Sequence, residues 1–428
     1  MDTETLVTVV IGDVALIVVV SWLLGAAARR CGQPAVIGHI VAGIALGPTL
    51  LGRLPGNPTE RLFPREVLPF LSVLSQVAIV LFMFVAGYEI DARQLRRGGR
   101  AAALVALFGL LVPAALSAGA VRLLPGVFSA VDPRHASGRS FLLFMAVATA
   151  VTALPVLVAV IRERGLAGGP AGTVATTAAG LMDVAAWLVL AAALVGTGHA
   201  PGRPWSLTLL LIAVFVGGMF LVVRPALGWW LRRSEALVAN QVTIALALAL
   251  GSAWVTASLG LHPVFGGLLA GLVMPRRDGV PDADVLRSME HSAGLLLPLF
   301  FVTTGLSFNI GSMDADAGVL LALIVTVATV GKLVPAYVAA RLGRLDPHQS
   351  ALVAALVNTR GLTELIVLNV GLEAGVIGPG LFTVLVLMAL VTTFATGPLL
   401  SLIGRRNAPE PEARALSLTG SQQKWTSE

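Results

Sequence analysis

Residues 348–371 read HQSALVAALVNTRGLTELIVLNVG. Two apolar stretches flank Asn358-Thr359-Arg360-Gly361, which sets an amide, a hydroxyl, a guanidinium and a helix-disfavouring glycine in mid-run. The run is long enough to cross a bilayer at about 1.5 Å of rise per residue, yet its centre resists an unbroken helix. Residues 139–161 repeat the pattern. There Thr149-Ala150-Val151-Thr152-Ala153-Leu154-Pro155 places two hydroxyls and a proline in an otherwise apolar span.

Outward from these two stretches, apolar runs fill most of the chain. Thirteen membrane spans are predicted, at 6–28, 33–51, 67–88, 100–124, 139–161, 171–196, 205–231, 236–258, 261–275, 287–308, 317–341, 348–371 and 377–403. The ninth begins at His262-Pro263, so it is expected to join the eighth through a kink. The two interrupted spans are the fifth and the twelfth, each the fifth of a set of six on either side of a linking seventh span. Two six-helix units joined by one helix are inverted relative to each other. Interrupted helices at matching positions in two such repeats point to a transporter's binding site. The 22 residues from 407 to 428 are polar and are expected to be a disordered tail.

Composition supports a polytopic helical membrane protein. Of 428 residues, 56% are hydrophobic and 12% charged, about half the usual charged fraction of a soluble domain. A soluble enzyme, a secreted disulfide scaffold and a disordered regulator are excluded, and a single cysteine, Cys31, allows no intrachain disulfide. Continuous apolar runs argue against a β-barrel. The net charge of +6 comes from basic residues dispersed at helix ends, which read as topology signals rather than a nucleic-acid surface. With the N-terminus outside, nineteen Lys and Arg fall in inner segments and seven in outer ones, giving a cytoplasmic C-terminus in a multi-pass cell-membrane protein.

Few charges lie well inside the spans: Asp13, Asp183, Lys332, Arg360 and Glu364. Each is expensive in hydrocarbon and therefore a functional candidate. Asp183, in Gly180-Leu181-Met182-Asp183-Val184-Ala185-Ala186-Trp187, has no basic neighbour in its own span. Burial favours its neutral form and a nearby cation its charged form, so it can hold a proton or a metal cation in alternation. Lys332 has no acid within one turn, so its partner comes from another helix, with Asp183 the candidate. Arg360 and Glu364 are four residues apart and can pair along one helix face. Thr149, Thr152, Asn358 and Thr359 supply hard oxygens and dipoles at the two breaks, suited to a monovalent cation and unlike the Cys/His sets of transition metals. Asp13 is expected to be wetted at the outer end of the first span, and His39 to pack near the inner leaflet. The spacings Gly43–Gly47 and Gly267–Gly271 suit close helix packing.

GHIVAGIALGP (38–48), VTALPVL (151–157), RERGL (162–166), GLMDVAAW (180–187), FGGLLAGLVMPR (265–276), LPLFFVTTGL (297–306) and NTRGLTELIVLNVG (358–371) resemble the monovalent cation:proton antiporters of the Kef-like and plant cation/proton exchanger branch. The resemblance implies a sodium/proton antiporter-like fold, with two crossed interrupted helices in a core part (residues 100–196 and 317–403). It implies a second part (6–88 and 236–308) that forms a homodimer, with residues 205–231 linking the two. It further implies elevator-type exchange of sodium or potassium against protons within residues 1–406, with no enzymatic activity, no cofactor and no nucleic acid. Asp183 corresponds to the family's ion-binding aspartate, Lys332 to its membrane lysine, and Thr149, Thr152, Asn358 and Thr359 to its unwound-helix polar residues. The chain departs from the pattern at Ala150, Ala159 and Met182. The last stands where electrogenic relatives carry a second acid, which implies electroneutral exchange. An organic-solute symporter on the same architecture and an ion channel remain open alternatives at this stage.

Overall fold

The computed structural model describes residues 2–30, 35–90, 99–136, 138–166, 169–194, 205–233, 238–276, 280–308 and 310–405. Among these, ten helices are long and apolar enough to cross a membrane, and three shorter apolar helices accompany them. The predicted tail lies outside the described residues.

In chain order the principal helices are α1 (Thr3–Arg30), α2 (Ala35–Leu46), α3 (Leu68–Glu89), α4 (Gly99–Leu123), α5 (Arg139–Ala150), α6 (Leu154–Glu163) and α7 (Pro170–Leu194). Then follow α8 (Trp205–Gly218), which runs through a π-helical turn, Met219–Val223, into α9 (Arg224–Arg233), and α10 (Val238–Ser258). The remainder are α11 (Pro263–Val273), α12 (Ala283–Leu306), α13 (Ala315–Leu342), α14 (Pro347–Val357), α15 (Leu362–Glu373) and α16 (Pro379–Arg405). The fifth predicted span is thus two helices, α5 and α6, and the twelfth is two more, α14 and α15. The first break falls at Val151–Ala153, beside two hydroxyls and a proline, and the second at Asn358–Gly361, on an amide, a hydroxyl, a guanidinium and a glycine.

The helices pack in two groups. In the first, α3 lies against α11 and α12, α2 against α1 and α12, and α10 against α11. In the second, α4 packs on α5, α7 and α13, α14 packs on α7, α13 and α16, and α15 on α16. Small residues allow the closest approaches: a Cβ at Gly271 would run into the Phe84 carbonyl and the Tyr88 amide of α3, and one at Gly305 into Gly43 of α2. Close packing of this kind drives association where lipid is as apolar as leucine. An apolar cluster joins the groups, with Ile40, Ile79, Met83, Val264, Phe300 and Phe301 from the first meeting Trp187, Leu362 and Ile366 from the second. The most enclosed span is the broken one: 89% of the apolar window of Pro347–Glu373 is buried, against 17% for α1.

Two expectations are corrected. Asp13 is not wetted; it is 4% exposed, because it shares with Ile17, Ser21 and Gly25 the one stripe of α1 that faces protein. The eighth and ninth spans are not one kinked helix. The chain folds back after Ser258, so that a Cβ at Gly266 would strike the Ser252 carbonyl and the Ala253 amide. Gly260 at φ +80° makes that turn, and His262 caps the new helix by accepting from the Val264 N–H at 3.4 Å.

Candidate functional site: the crossing of two broken helices

The two breaks meet inside the second packing group. The Ala153 N–H donates to the Thr359 carbonyl at 3.1 Å, and the Thr152 hydroxyl to the Val357 carbonyl at 3.0 Å. Each break thereby satisfies backbone groups that an interrupted helix leaves open.

The last turn of α5 carries carbonyls without intrahelical donors, and two cations supply them. Arg360 donates through Nη1 to the Ala148 carbonyl at 2.8 Å and through Nη2 to the Thr149 carbonyl. Lys332 Nζ donates to the Ala150 and Val151 carbonyls at 2.6 and 2.7 Å. Four successive carbonyls at the negative end of a half-helix therefore face the donors of two basic side chains. Arg360 is held in turn by Glu364 Oε1 at 2.7 Å, both residues being 0% exposed. Behind the break, the Thr393 hydroxyl lies 2.9 Å from the Arg360 carbonyl and 2.8 Å from the Ala389 carbonyl of its own helix, its one proton serving either.

The positive end of the other half-helix meets a carboxyl group. Asp183, 8% exposed on α7, faces the backbone N–H of Leu154, the first residue of α6. Its neighbour Met182 brings Sδ to 3.8 Å from the Thr152 hydroxyl, which fixes α7 beside the crossing. Lys332 acts on Asp183 electrostatically, but its hydrogen-bond partners are the α5 carbonyls. The lysine's partner does come from another helix, as expected; it is a helix terminus rather than the aspartate. Full burial also excludes a lysine reaching for the bilayer surface.

The candidate oxygens divide. The Thr149 hydroxyl is turned back to the Met145 carbonyl of its own helix at 2.9 Å, and Thr152 is engaged with Val357. Both side-chain polar atoms of Asn358 and the Thr359 hydroxyl are buried with no partner. A buried polar group without a partner costs roughly 1–3 kcal/mol, so these atoms are available to a ligand that supplies the missing contacts. Asp13 and His39 lie in the first packing group, on α1 and α2, with His39 against the Phe301 ring at 5.7 Å. Sequence reasoning missed the backbone: the Ala148–Val151 carbonyls and the Leu154 amide carry no side-chain signature. It also missed Thr393, one of five hydroxyl residues in its span.

Residues 15–406 match the family described as sodium/hydrogen exchanger, transmembrane. The chain is 34% identical to the Na(+)/H(+) antiporter NhaS4 of Synechocystis over 93% of its own length and 98% of that protein. It is 35% identical to Cation/H(+) antiporter 20 of Arabidopsis thaliana over 90% of its length, spanning about half (47%) of that relative. Among solved structures it resembles the sodium proton antiporter MjNhaP1 of Methanocaldococcus jannaschii, with a TM-score of 0.64 at 14% identity, covering 93% of this chain and 100% of the other. At that identity the likeness speaks for the fold.

Proposed function

The chain belongs to the sodium/hydrogen exchanger transmembrane family, and from that premise we propose that it is a monovalent cation:proton antiporter whose transported ion and proton compete for Asp183. The observation that carries the reading is the enclosed carboxylate itself. It sits at the amino end of α6, beside a crossing where Asn358 and Thr359 hold unspent polar atoms. One carboxylate takes either a proton or a cation, and coupling follows from that exclusivity. Sodium and potassium both suit carboxylate, hydroxyl and amide oxygens.

The finer reading is alternating access of the elevator type. The second packing group, residues 100–196 and 317–403, carries the site and slides against the first, residues 6–88 and 236–308, which pairs with its counterpart in a homodimer. The apolar contact between the groups supports this reading, since van der Waals surfaces exchange neighbours more readily than hydrogen-bonded ones. So does the matching position of the two broken helices in the chain. With Met182 where a second acid would stand, exchange is one cation for one proton and electroneutral. The protein sits in the cell membrane with its N-terminus outside.

The test is a proteoliposome loaded with a pH dye and pulsed with sodium or potassium. Wild type dissipates an imposed proton gradient. Asp183→Asn keeps the shape but binds neither ion in exchange, so it is silent while eluting as a folded protein. Dissipation by the Asn variant at the wild-type rate would remove Asp183 from the mechanism.

A further inference from the structure

A hydrogen-bonded cluster lies at the end of the bundle where α10 turns into α11 and α15 stops. Glu373, the last residue of α15, receives Asn369 Nδ2 on Oε1 at 2.7 Å, from one turn earlier in its own helix. Its other oxygen points across to the first packing group. Oε2 accepts Gln76 Nε2 from α3 at 2.8 Å and lies 3.1 Å from His262 Nε2, at the cap of α11. The tautomer follows from the cap: His262 Nδ1 accepts from the Val264 N–H, so the ring proton is on Nε2 and is donated to the carboxylate.

The position of the cluster gives it meaning. Gln76, Ile79 and Met83 are spaced three and four residues apart on α3 and form one stripe. Ile79 and Met83 are buried in the apolar cluster that joins the two groups. Trp187, one turn beyond Asp183, meets the Phe265 ring of α11 edge-on at 6.0 Å in the same contact zone. These contacts are apolar, and two directional hydrogen bonds to a carboxylate lie beside them. Glu373 is 39% exposed and His262 10%, so water weakens these bonds, but they remain more exacting in geometry than the dispersion contacts beside them.

We propose that Glu373 is a catch between the two packing groups: through Gln76 and His262 it holds the site-bearing group in the arrangement described, and it releases before that group slides. The proposal rests on the two-part reading above. Asn369 is a positioning residue that aims the carboxylate, and Gln76 and His262 are the keepers on the opposite side. The ion site at Asp183 is untouched by it.

The experiment uses the full chain in liposomes with Cys31→Ser and a reporter, Ile79→Cys, buried in the apolar contact beneath the catch. Reaction of the reporter with a small permeant maleimide measures how often the contact opens. Glu373→Gln weakens both bonds, and Gln76→Leu removes one of them from the other side without altering the carboxylate. Each is expected to raise the labelling rate about threefold. Should Glu373→Gln lose its folded elution peak, Gln76→Leu carries the test alone. An unchanged rate in whichever folded variants remain overturns the catch. Ion exchange is measured separately on the Cys31→Ser parent: a parent that moves no cation sinks the antiport reading, while the labelling result still decides the catch.

Discussion

Lys332→Met separates two roles for the membrane lysine. The side chain is 0% exposed, and its Nζ donates to the carbonyls of Ala150 and Val151 at 2.6 and 2.7 Å. Methionine keeps a comparable unbranched stem and donates nothing. Two carbonyls at the end of α5 then lie buried without donors, at about 1–3 kcal/mol each, or about 2–6 kcal/mol together. Part of this is offset because an apolar side chain no longer has to be desolvated as a charge. The net expected loss is therefore in the lower half of that range, about 2–4 kcal/mol, a large fraction of an ordinary folding free energy of roughly 5–15 kcal/mol. The negative end of the half-helix also loses a counter-charge. The assay is the fraction of protein still eluting as a single folded species after heating in detergent, with Lys332→Arg as companion. The Met variant should melt several degrees below wild type, and the Arg variant, which keeps donors at the same place, should recover most of the difference. If the Met variant melts with wild type yet exchanges no ions, the capping argument is refuted and the lysine matters through its charge on Asp183.

Further outcomes follow from the same geometry. Glu364→Gln leaves Arg360 buried with a hydrogen bond but no counter-charge, and should cost about 3–5 kcal/mol of stability, the usual penalty for breaking a buried pair; thermal melting in detergent reads it, and a variant as stable as wild type would show that the carbonyls alone hold the guanidinium. Exchange should be insensitive to voltage. With the potential clamped by valinomycin and sodium as test cation, where one net charge is worth about 2.3 kcal/mol per 100 mV, the proton gradient at which net flux vanishes should stay put; a shift would mean that a second group titrates. Gly271→Ala should destabilise by about 1–3 kcal/mol, since its methyl meets the backbone of Phe84 and Tyr88 rather than a movable side chain; unaltered melting would mean that α3 and α11 separate freely.

The helices and their interruptions were legible in the sequence because both are local properties. A run of apolar residues must satisfy its own backbone within the bilayer, so each run becomes a helix, and the observed helices fall on the predicted runs. The breaks at Val151–Ala153 and Asn358–Gly361 were marked by hydroxyls, an amide, a proline and a glycine. Asp183, Lys332 and the Arg360–Glu364 pair stood out because a charge in an apolar run has no bland explanation.

Partnership was decided by the tertiary structure. A membrane helix is apolar on every side, so its pattern does not say which face meets lipid and which meets protein: on α1, Ile11 is 64% exposed and Ile17 is 0%. The burial of Asp13, on that same inward stripe, was hidden for this reason. The lysine's true partners were hidden for another, because backbone carbonyls are the same at every position and become acceptors only where a helix ends against a neighbour. Glu373 read as an ordinary charge at a helix end until the fold brought Gln76 and His262, 297 and 111 residues away in the chain, to one of its oxygens. The sequence determines which segments cross the membrane and where they break, since those depend on neighbours along the chain; which charges meet across the bundle depends on helix rotation and close packing, which exist only once the helices have assembled.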